Sequence, residues 1–356
     1  MRALVVTSVH RSDDPRIRER TVRSLAGAFE VRYAARPPAP SAGDDHEWVP
    51  LPGGRLRRDW GAFRQMMQRD VAVLSVHDPE LIPAALAARL LRRVPVVVDV
   101  HEDVPAQVLH KQWVARPLRR PLASAARVLL RLAERFCVVT LAEEAYRHLF
   151  RRDHPAFPNY PAARSLPPVA ADGGYLVYVG DLTEDRGALD MVEAVGRMAH
   201  PRPLRLVGRC PAGLAEQLRR RAGELGVPLV LTGALPHGRA MEQAAGASAG
   251  LSLLRPLPNY LHSLPTKVVE YLAMGLPVVA SDLPGTRAAV GDLAGLALVT
   301  PADPAAAGAA LDRMLGDGRS REKAARQAPA LRERLVWPDA AVVAVYREAA
   351  GPGAGR

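Results

Sequence analysis

The stretch that decides the fold is SLPTKVVEYLAMGLPVVAS, residues 263–281. Pro265 suits the first turn of a helix, because the N–H that proline lacks would have no helical partner there. Apolar residues then recur at helical spacing, and Gly275 is placed to end the helix in the left-handed conformation. The short apolar run at 276–280 is typical of a strand buried on both faces. The stretch therefore predicts one unit of an α/β protein.

The start of this helix is a predicted anion site. Backbone N–H groups near Ser263 and Thr266 have no helical acceptor, and together with the helix dipole they favour a phosphate there. Lys267 adds a positive charge in the first turn, where acids are usual. Glu270, one turn further in, is placed to accept two hydrogen bonds from ribose hydroxyls. The alternative, an ordinary αβ unit with both charges on its surface, stays open on spacing alone.

Composition limits the classes of protein to which the chain can belong. The chain has 356 residues, enough for two domains, and 48 Lys+Arg against 37 Asp+Glu give a formal net charge of +11. This excess suits nucleic acid, an anionic membrane or phosphorylated ligands, or reflects only a GC-rich genome. Cys137 and Cys210 lack a C-x-x-C spacing and predict neither a disulfide scaffold nor a structural zinc site. With no signal peptide and no membrane-spanning run evident, the expected location is the cytoplasm.

Strand-like apolar runs alternate with helical patterns along almost the whole chain, which predicts α/β units with parallel sheets. Residues 37–55, rich in proline and glycine, predict a loop, and residues 143–151 and 302–334 predict helices. A proline-rich stretch at 155–168 is interpreted as the linker between two domains.

Three histidines follow predicted buried strands of the first half: His10, His77 and His101. Loops at the carboxyl edge of a parallel sheet are where ligands bind, so each histidine is a candidate site residue. A lone histidine in such a position is also often structural. Asp14 is expected to cap a helix that starts just after it.

A helix ending near Phe136 carries Arg127, Arg131 and Arg135 at four-residue spacing, which places them on one face. Leucines occupy another face. Such a basic amphipathic helix is compatible with a membrane surface. It is equally compatible with a helix that packs on the core and keeps a solvated basic face, and both interpretations stay open.

The run PTKVVEYLAMGLPVVASDLPG, residues 265–285, resembles the nucleotide-sugar motif of family-4 retaining glycosyltransferases of the GT-B fold. The family pattern is Glu, seven residues, then Glu. Glu270 matches the second, which holds the ribose, whereas the first position is His262. A Pro-Thr-Lys branch of the family is more similar to this chain than the two-glutamate branch. The resemblance spans nearly the whole chain.

A second segment, Gly180 to Gly187, resembles the family's Gly-Arg-Leu-x-x-x-Lys-Gly, which grips the donor diphosphate. Arg186 takes the lysine position and Asp181 stands where an arginine is usual, so one of two phosphate-binding cations is missing. A guanidinium can hold phosphate bidentately, which makes Arg186 a suitable substitute.

The resemblance also bears on the first half of the chain. It implies that His101 lies beside the donor sugar, where a histidine can donate a hydrogen bond to a hydroxyl, and that His77 supports it. His10 and Arg16 match the family's entry motif and become candidates for the cleft.

The resemblance implies two Rossmann-like α/β domains facing across a cleft. The expected bounds are 1–160 for an acceptor-side domain, 161–335 for a nucleotide-sugar domain, and 336–350 for a final helix that returns to the first. The expected catalytic residues are His101, Arg186 and Lys267, and the expected donor-binding residues are Gly180, Arg186, Ser263, Thr266, Lys267 and Glu270.

The implied reaction moves a hexosyl group from a UDP- or GDP-linked sugar to an acceptor hydroxyl with retention, in cell-envelope glycan synthesis or natural-product glycosylation. The nucleotide sugar is a cosubstrate, and no metal or cofactor is expected. The acceptor is a carbohydrate, a lipid-linked group or a small molecule, without nucleic acid. Peripheral contact with the inner face of the membrane is expected if the basic helix binds lipid.

Other classes remain in competition. An epimerase or phosphorylase acting on nucleotide sugars would keep the same fold. A Rossmann oxidoreductase is disfavoured because no Gly-x-Gly-x-x-Gly follows a strand, and a P-loop NTPase because Gly-x-x-x-x-Gly-Lys is absent. A non-catalytic basic protein would instead show salt-sensitive affinity for nucleic acid.

Overall fold

The structure is a computed structural model that describes residues 1–38, 46–110, 115–291 and 293–351; the side chains of His110 and Asn259 are also outside the description. The chain divides into two compact units. One comprises residues 1–159 together with the final segment from Trp337, and the other comprises Tyr160–Val336. Each unit is built on a six-stranded parallel sheet, which confirms the predicted fold class.

The strands of the first unit are β1 (Arg2–Arg11), β2 (Glu30–Arg36), β3 (Glu47–Pro50), β4 (Val71–Val76), β5 (Val96–Val100) and β6 (Val138–Leu141). Their order in the sheet is β3-β2-β1-β4-β5-β6. Every residue of β5 is buried, as in a strand covered by helices on both faces. β1 and β4 are neighbours whose onward connections run to opposite edges of the sheet. Open parallel sheets bind ligands at such a point.

Helices cover this sheet. They are a π-helix (Ile17–Val22) that continues into α1 (Arg23–Ala26), then α2 (Arg55–Met66), α3 (Ile82–Arg92), α4 (Val104–His110) and α5 (Arg116–Phe136), with 3₁₀ turns at Pro79–Leu81 and Glu144–Leu149.

Two expectations for the first unit are wrong. The loop predicted at 37–55 contains β3, a short edge strand. Its flanks are rich in proline and glycine, and this composition indicated a loop. The helix predicted at 143–151 is a 3₁₀ turn. It stops where the N–H groups of Arg151 and Arg152 donate to Glu134 at 2.7 and 2.8 Å, because this carboxylate holds the chain in a new direction.

The second unit has strands β7 (Leu176–Val179), β8 (Leu204–Val207), β9 (Leu229–Gly233), β10 (Ala249–Ser252), β11 (Val278–Ser281) and β12 (Leu296–Val299). Their order is β12-β11-β10-β7-β8-β9, so the connections diverge between β7 and β10. Its helices are α6 (Ala188–Gly196), α7 (Ala212–Glu224), α8 (His237–Ala245), α9 (Pro258–Leu261), α10 (Thr266–Met274), α11 (Pro284–Val290), α12 (Pro304–Gly316) and α13 (Ser320–Arg334), with a 3₁₀ turn at Ala163–Ser165. The helical region predicted at 302–334 is confirmed and consists of two helices, separated around Gly318 with φ of 62°.

α10 and β11 form as the sequence predicts. Gly275 ends α10 with φ of 89°, and its N–H donates to Leu272 O at 3.0 Å. A Cβ at this position would lie 2.9 Å from Ala325 Cα, so both the conformation and the space require glycine. All four residues of β11 are buried.

The last helix, α14 (Asp339–Ala350), belongs to the first unit. Trp337, just before it, donates from Nε1 to Ser24 Oγ at 2.8 Å. Val342 and Tyr346 are the buried residues of α14 and join the core formed with β1 and β2.

α5 combines a buried and an exposed face. Ala123, Leu130 and Ala133 are buried against the first unit. The exposed large apolar residues of this helix are Leu118, Leu122, Val128, Leu132 and Phe136. Among the described residues, no helix is both long enough and apolar enough to cross a membrane.

Candidate functional site

The second unit contains a pocket of about 200 Å³ at the point where its strand connections diverge. Tyr178 comes from β7 and Ser252 from β10. The other residues around the pocket are Arg186, Leu254, Tyr260, Ser263, Leu264, Pro265, Thr266 and Lys267. The sequence-predicted residues Arg186, Ser263, Thr266 and Lys267 are thus brought together around one space.

The start of α10 forms one wall of this pocket. Its capping position is Pro265, and no side chain caps the helix N-terminus. No acidic residue lies in the first turn. The N–H of Thr266 already donates to Leu264 O at 2.9 Å, so the helix dipole and Lys267 are the features that favour an anion here.

Glu270 is buried, with 2% of its surface exposed, so the alternative of a surface glutamate is wrong. Lys267 Nζ lies 2.8 Å from Glu270 Oε2. His237 Nε2 lies 3.9 Å from Glu270 Oε1, a neighbour that the sequence did not indicate because it comes from α8. His262, at the position of the family's first glutamate, is exposed and follows α9.

The loop after β7 brings Arg186 to the pocket through two glycines. Gly180 has φ of 152°, and a Cβ there would lie 2.8 Å from the Tyr178 hydroxyl. Gly187 has φ of 71°, and a Cβ there would lie 2.0 Å from Leu253 O. Larger residues are excluded at both positions, so the loop passes close to β10 and presents Arg186 beside Tyr178 and Lys267.

A cation that the sequence did not reveal lies beside this loop. Arg209, after β8, donates from Nε to Asp181 Oδ1 at 2.9 Å and from Nη2 to Asp181 Oδ2 at 2.8 Å. The hydrogen bond from Arg209 lowers the pKa of Asp181, with smaller contributions from Arg186 and Lys267. Arg209 is exposed and does not line the pocket, so the expectation that one of two phosphate-binding cations is missing stays a prediction.

A second, larger pocket of about 480 Å³ lies along the edge strand β12. Its lining is apolar apart from Arg287. None of the sequence-predicted site residues lines it, and the chemistry described here does not involve it.

In the first unit, a buried carboxylate lies at the centre of a polar cluster. Asp99 on β5 accepts from Arg16 Nη2, 3.0 Å from each carboxylate oxygen, and from Thr140 Oγ1 at 2.8 Å. His101 Nε2 lies 2.7 Å from Asp99 Oδ2. Burial alone would raise the pKa of Asp99, but Arg16 and His101 hold it well below its usual range. Asp99 is therefore ionised and only accepts hydrogen bonds.

The carboxylate fixes the position of the proton on His101. Because Asp99 only accepts, Nε2 of His101 carries the hydrogen, and neutral His101 keeps its lone pair on Nδ1. Within the described residues, no hydrogen bond reaches this Nδ1. The sequence suggested that His101 donates to a ligand; with its proton on Nε2, a neutral His101 would accept at Nδ1, whereas a protonated His101 would donate there, so the suggested role stays a prediction.

Arg16 does not have the exposed position expected of a ligand-binding residue. It is 7% exposed, and besides Asp99 it donates to Phe157 O at 2.6 Å and to Asn159 Oδ1 at 3.1 Å. Its guanidinium lies 4.8 Å from the centre of the Trp337 ring. Arg16 therefore holds Asp99 in place and ties together distant parts of the first unit.

His10 is the more accessible histidine of the cluster. Its ring centre lies 6.0 Å from that of His101. Its Nδ1 is 3.1 Å from Asp14 Oδ2, and the hydrogen bond between them raises the pKa of His10. Asp14 also accepts from the N–H of Ile17 at 3.2 Å, so its predicted capping role is confirmed.

Three of these side chains have the spacing of a metal site. His77, Asp99 and His101 offer ligand atoms that all lie within 4.8 Å of one another. Asp99, however, already pairs with Arg16, whose charge opposes a cation at this position. The arrangement is satisfied by hydrogen bonds and ion pairing, and no metal is assigned to it.

Comparison with known proteins agrees with these features. Residues 173–317 match the family Glycosyl transferases group 1. The phosphatidyl-myo-inositol mannosyltransferase of Mycobacterium tuberculosis is 28% identical over 305 residues, covering 80% of this chain and 76% of the relative. TuaC of Bacillus subtilis, named as a teichuronic acid biosynthesis glycosyltransferase, is 24% identical over 246 residues, covering 64% of this chain and only 58% of TuaC. HepE of Anabaena, solved in complex with UDP and glucose, has a TM-score of 0.69 at 15% identity, with 98% of both chains covered.

Two parallel α/β units, the second with a pocket lined by Arg186 and Lys267 where its strand connections diverge, give the chain the GT-B fold. Residues 173–317, which include Arg186, Lys267 and Glu270, form a Glycosyl transferases group 1 domain. The resemblance seen in the sequence is confirmed for the fold and, over residues 173–317, for the glycosyl transferases group 1 domain.

Proposed function

We propose that the chain transfers a hexosyl group from a UDP- or GDP-linked sugar to an acceptor hydroxyl with retention of configuration. The observation that carries the proposal is the meeting of Arg186, Lys267 and the uncapped start of α10 around one pocket. Negative charge develops on the departing diphosphate as the glycosidic bond breaks. Preorganised cations and N–H groups stabilise that charge without having to reorganise.

The residues that line the pocket, and Glu270 and Gly180 outside its lining, take separate roles in this proposal. Arg186 holds the diphosphate bidentately and Lys267 adds a point charge. Glu270 accepts hydrogen bonds from the ribose hydroxyls, and its burial keeps the carboxylate in one position. The remaining donor-binding positions are Gly180, Ser263 and Thr266.

In the transfer step, the bond from the anomeric carbon to the phosphate oxygen breaks, and a bond to the acceptor oxygen forms on the same face. The acceptor proton passes to the departing phosphate. His101 is the third proposed catalytic residue, because its Nδ1 accepts a hydrogen bond from a sugar hydroxyl and orients the reacting carbon. Its benefit appears mainly in the transition state.

A binding screen followed by product analysis tests this function. UDP and GDP should raise the melting temperature by mass action, and the corresponding sugar nucleotides should transfer their sugar to phospholipid, oligosaccharide or small hydroxylated acceptors. NMR of the product should show the donor's anomeric configuration. Inversion contradicts retention, whereas isomerised donor or phosphate-dependent cleavage without transfer supports the epimerase or phosphorylase alternative, which family membership does not favour.

We further propose a lipid-linked acceptor for cell-envelope synthesis and peripheral contact of α5 with an anionic membrane. Arg127 and Arg135 are exposed on this helix beside the exposed apolar residues Val128, Leu132 and Phe136. A helix with both features binds the interface through electrostatic attraction and apolar burial. The mannosyltransferase relative is named for a phosphatidyl-myo-inositol, which agrees with a lipid acceptor.

A further inference from the structure

A row of buried polar groups connects the last helix to His101. Tyr346 OH on α14 lies 2.6 Å from Ser75 Oγ on β4, and Ser75 Oγ lies 3.0 Å from His77 Nε2. His77 Nδ1 lies 3.2 Å from His101 Nε2. Tyr346, Ser75 and His77 are 2%, 0% and 3% exposed. Polar groups buried this deeply are costly unless each finds a partner, and here they find one another.

The protons in this row have one consistent arrangement. His101 Nε2 carries the hydrogen that Asp99 accepts, so it cannot also accept one from His77. His77 therefore turns a lone pair on Nδ1 toward His101. Burial lowers the pKa of His77 to about 3, so it is neutral and carries its single hydrogen on Nε2. That N–H donates to Ser75 Oγ, and in the proposed arrangement the Ser75 hydroxyl donates to Tyr346 OH, one of the two directions that their 2.6 Å contact allows.

The opposite tautomer of His77 would disturb His101. An N–H on Nδ1 of His77 would face the N–H of His101 at 3.2 Å, and one of the two hydrogens would lose its acceptor. His101 would then leave Asp99 or shift its proton to Nδ1. Without the Tyr346 hydroxyl, the neighbour left in the row for the Ser75 hydrogen is His77 Nε2, which favours this tautomer.

We propose that Tyr346 is a positioning residue for His101, acting through Ser75 and His77 to keep the His101 proton on Nε2 and its lone pair on Nδ1. The consequence for transfer rests on the proposed function, but the effect on the proton does not. If Tyr346 only filled space in the core, phenylalanine could replace it, so the proposal depends on the hydroxyl group.

The proton position can be read directly by NMR of protein labelled with ¹⁵N-histidine, since protonated and unprotonated ring nitrogens differ widely in chemical shift. In the unmodified chain, recorded at a pH where the spectra show His101 to be neutral, His101 should show a protonated Nε2 and an unprotonated Nδ1, assigned by the signals lost in His101→Ala. Tyr346→Phe and Ser75→Ala should shift both signals toward a mixture of tautomers. The matched control is Tyr175→Phe, which removes another buried hydroxyl with one 2.7 Å hydrogen bond, to Gln243 O. Unchanged His101 signals in both variants, or a protonated Nδ1 in the unmodified chain, would overturn the proposal.

Kinetics provide the second readout. Tyr346→Phe should lower kcat by about 3- to 10-fold, the scale of one lost hydrogen bond, with KM for the sugar nucleotide unchanged. In a His101→Ala background, Tyr346→Phe should lower kcat no further, because Tyr346 is proposed to act on the reaction only through His101. An equal loss in both backgrounds would show a structural role and refute positioning. If the unmodified chain transfers no sugar, the proposed function is wrong. The NMR experiment still tests separately whether Tyr346 positions the His101 proton.

Discussion

Lys267 Nζ lies 2.8 Å from Glu270 Oε2 across one turn of α10, and Glu270 is almost fully buried. The carboxylate limits the rotamers of the lysine and partly neutralises it. A substitution at either residue therefore changes the surroundings of the other. Their separate roles can be distinguished only with ligands that differ in chemical groups, such as uridine and UDP, of which only UDP has a diphosphate.

Glu270→Ala should weaken uridine and UDP binding by a similar factor if the carboxylate binds the ribose. The expected loss is about 2 kcal/mol, or roughly 30-fold in Kd, since hydrogen bonds to a charged group contribute about 1.5–3 kcal/mol. Isothermal titration with both ligands measures it. Lys267→Ala is the matched contrast and should affect UDP more than uridine. Unchanged affinity of Glu270→Ala for UDP and GDP alike would remove Glu270 from the site.

Arg186→Ala should weaken UDP binding by about 10-fold or more while changing uridine binding little, because its contribution comes from charge on the diphosphate. Titrations with the two ligands on the same preparation give the ratio. Arg219→Ala, at an exposed arginine on α7, is the control and should change neither. Equal losses for uridine and UDP in Arg186→Ala would instead indicate misfolding or contact with the base.

His101→Ala should lower turnover by about 100-fold or more, the scale seen when a polar stabiliser of a transition state is removed. Affinity for UDP should stay nearly normal, because the pocket of the second unit is left intact. Turnover and UDP affinity must be measured on the same folded variant. Full turnover would show that His101 is structural.

His77 should make the fold sensitive to acid. Its pKa is about 3 in the folded chain, whereas an unfolded histidine has a pKa of about 6.5, so between these values the unfolded state binds one more proton. Stability from this residue is therefore lost as the pH falls, by up to about 1.4 kcal/mol per pH unit.

Denaturant unfolding of the unmodified chain and of His77→Gln tests this. The difference between the two unfolding free energies at each pH removes the contribution of His10, which both proteins contain. The raised pKa of His10 adds stability below pH 6.5 and so opposes the trend. Between pH 6.5 and 5, the variant should gain on the unmodified chain by up to about 2 kcal/mol. His200→Gln, at an exposed histidine, should show no such gain. Parallel pH profiles for the unmodified chain and His77→Gln would disprove the assignment.

Binding to anionic vesicles should fall with salt and on joint change of Arg127, Arg131 and Arg135 to Gln, because surface charges are screened within about 10 Å at 0.1 M ionic strength. Co-sedimentation with phosphatidylglycerol vesicles measures it, with phosphatidylcholine vesicles as the uncharged control. Leu132→Ser should weaken binding at every salt concentration. No vesicle binding at low salt would leave α5 as a core-packed helix with a solvated face.

The sequence predicted the features that follow from local physics. The turn at Gly275, the cap at Asp14 and the buried β11 depend on neighbouring residues, and each formed as predicted. The residues at the start of α10 that were expected to bind the sugar donor also lie together around one pocket. They were predictable because one short motif contains the loop, the helix start and the following strand.

The features it missed depend on contacts between distant segments. The Asp181–Arg209 pair joins two loops after neighbouring strands, and neither residue signals the other in the sequence. The burial of Arg16 was not predicted because its partner, Asp99, lies 83 residues away on β5. Tyr346 contacts Ser75 across 271 residues, a pairing that no periodicity or spacing reveals.

The placement of α14 in the first unit also affects how the protein can be synthesised. Domains commonly fold as units while the chain emerges from the ribosome, beginning at the N-terminus. Here the residues that cover Ser24 and Ser75, Trp337 and Tyr346, are translated only after the whole second unit. The core of the N-terminal unit therefore cannot close until Trp337 and Tyr346 have been synthesised, and a polypeptide released before Trp337 would expose an incomplete core.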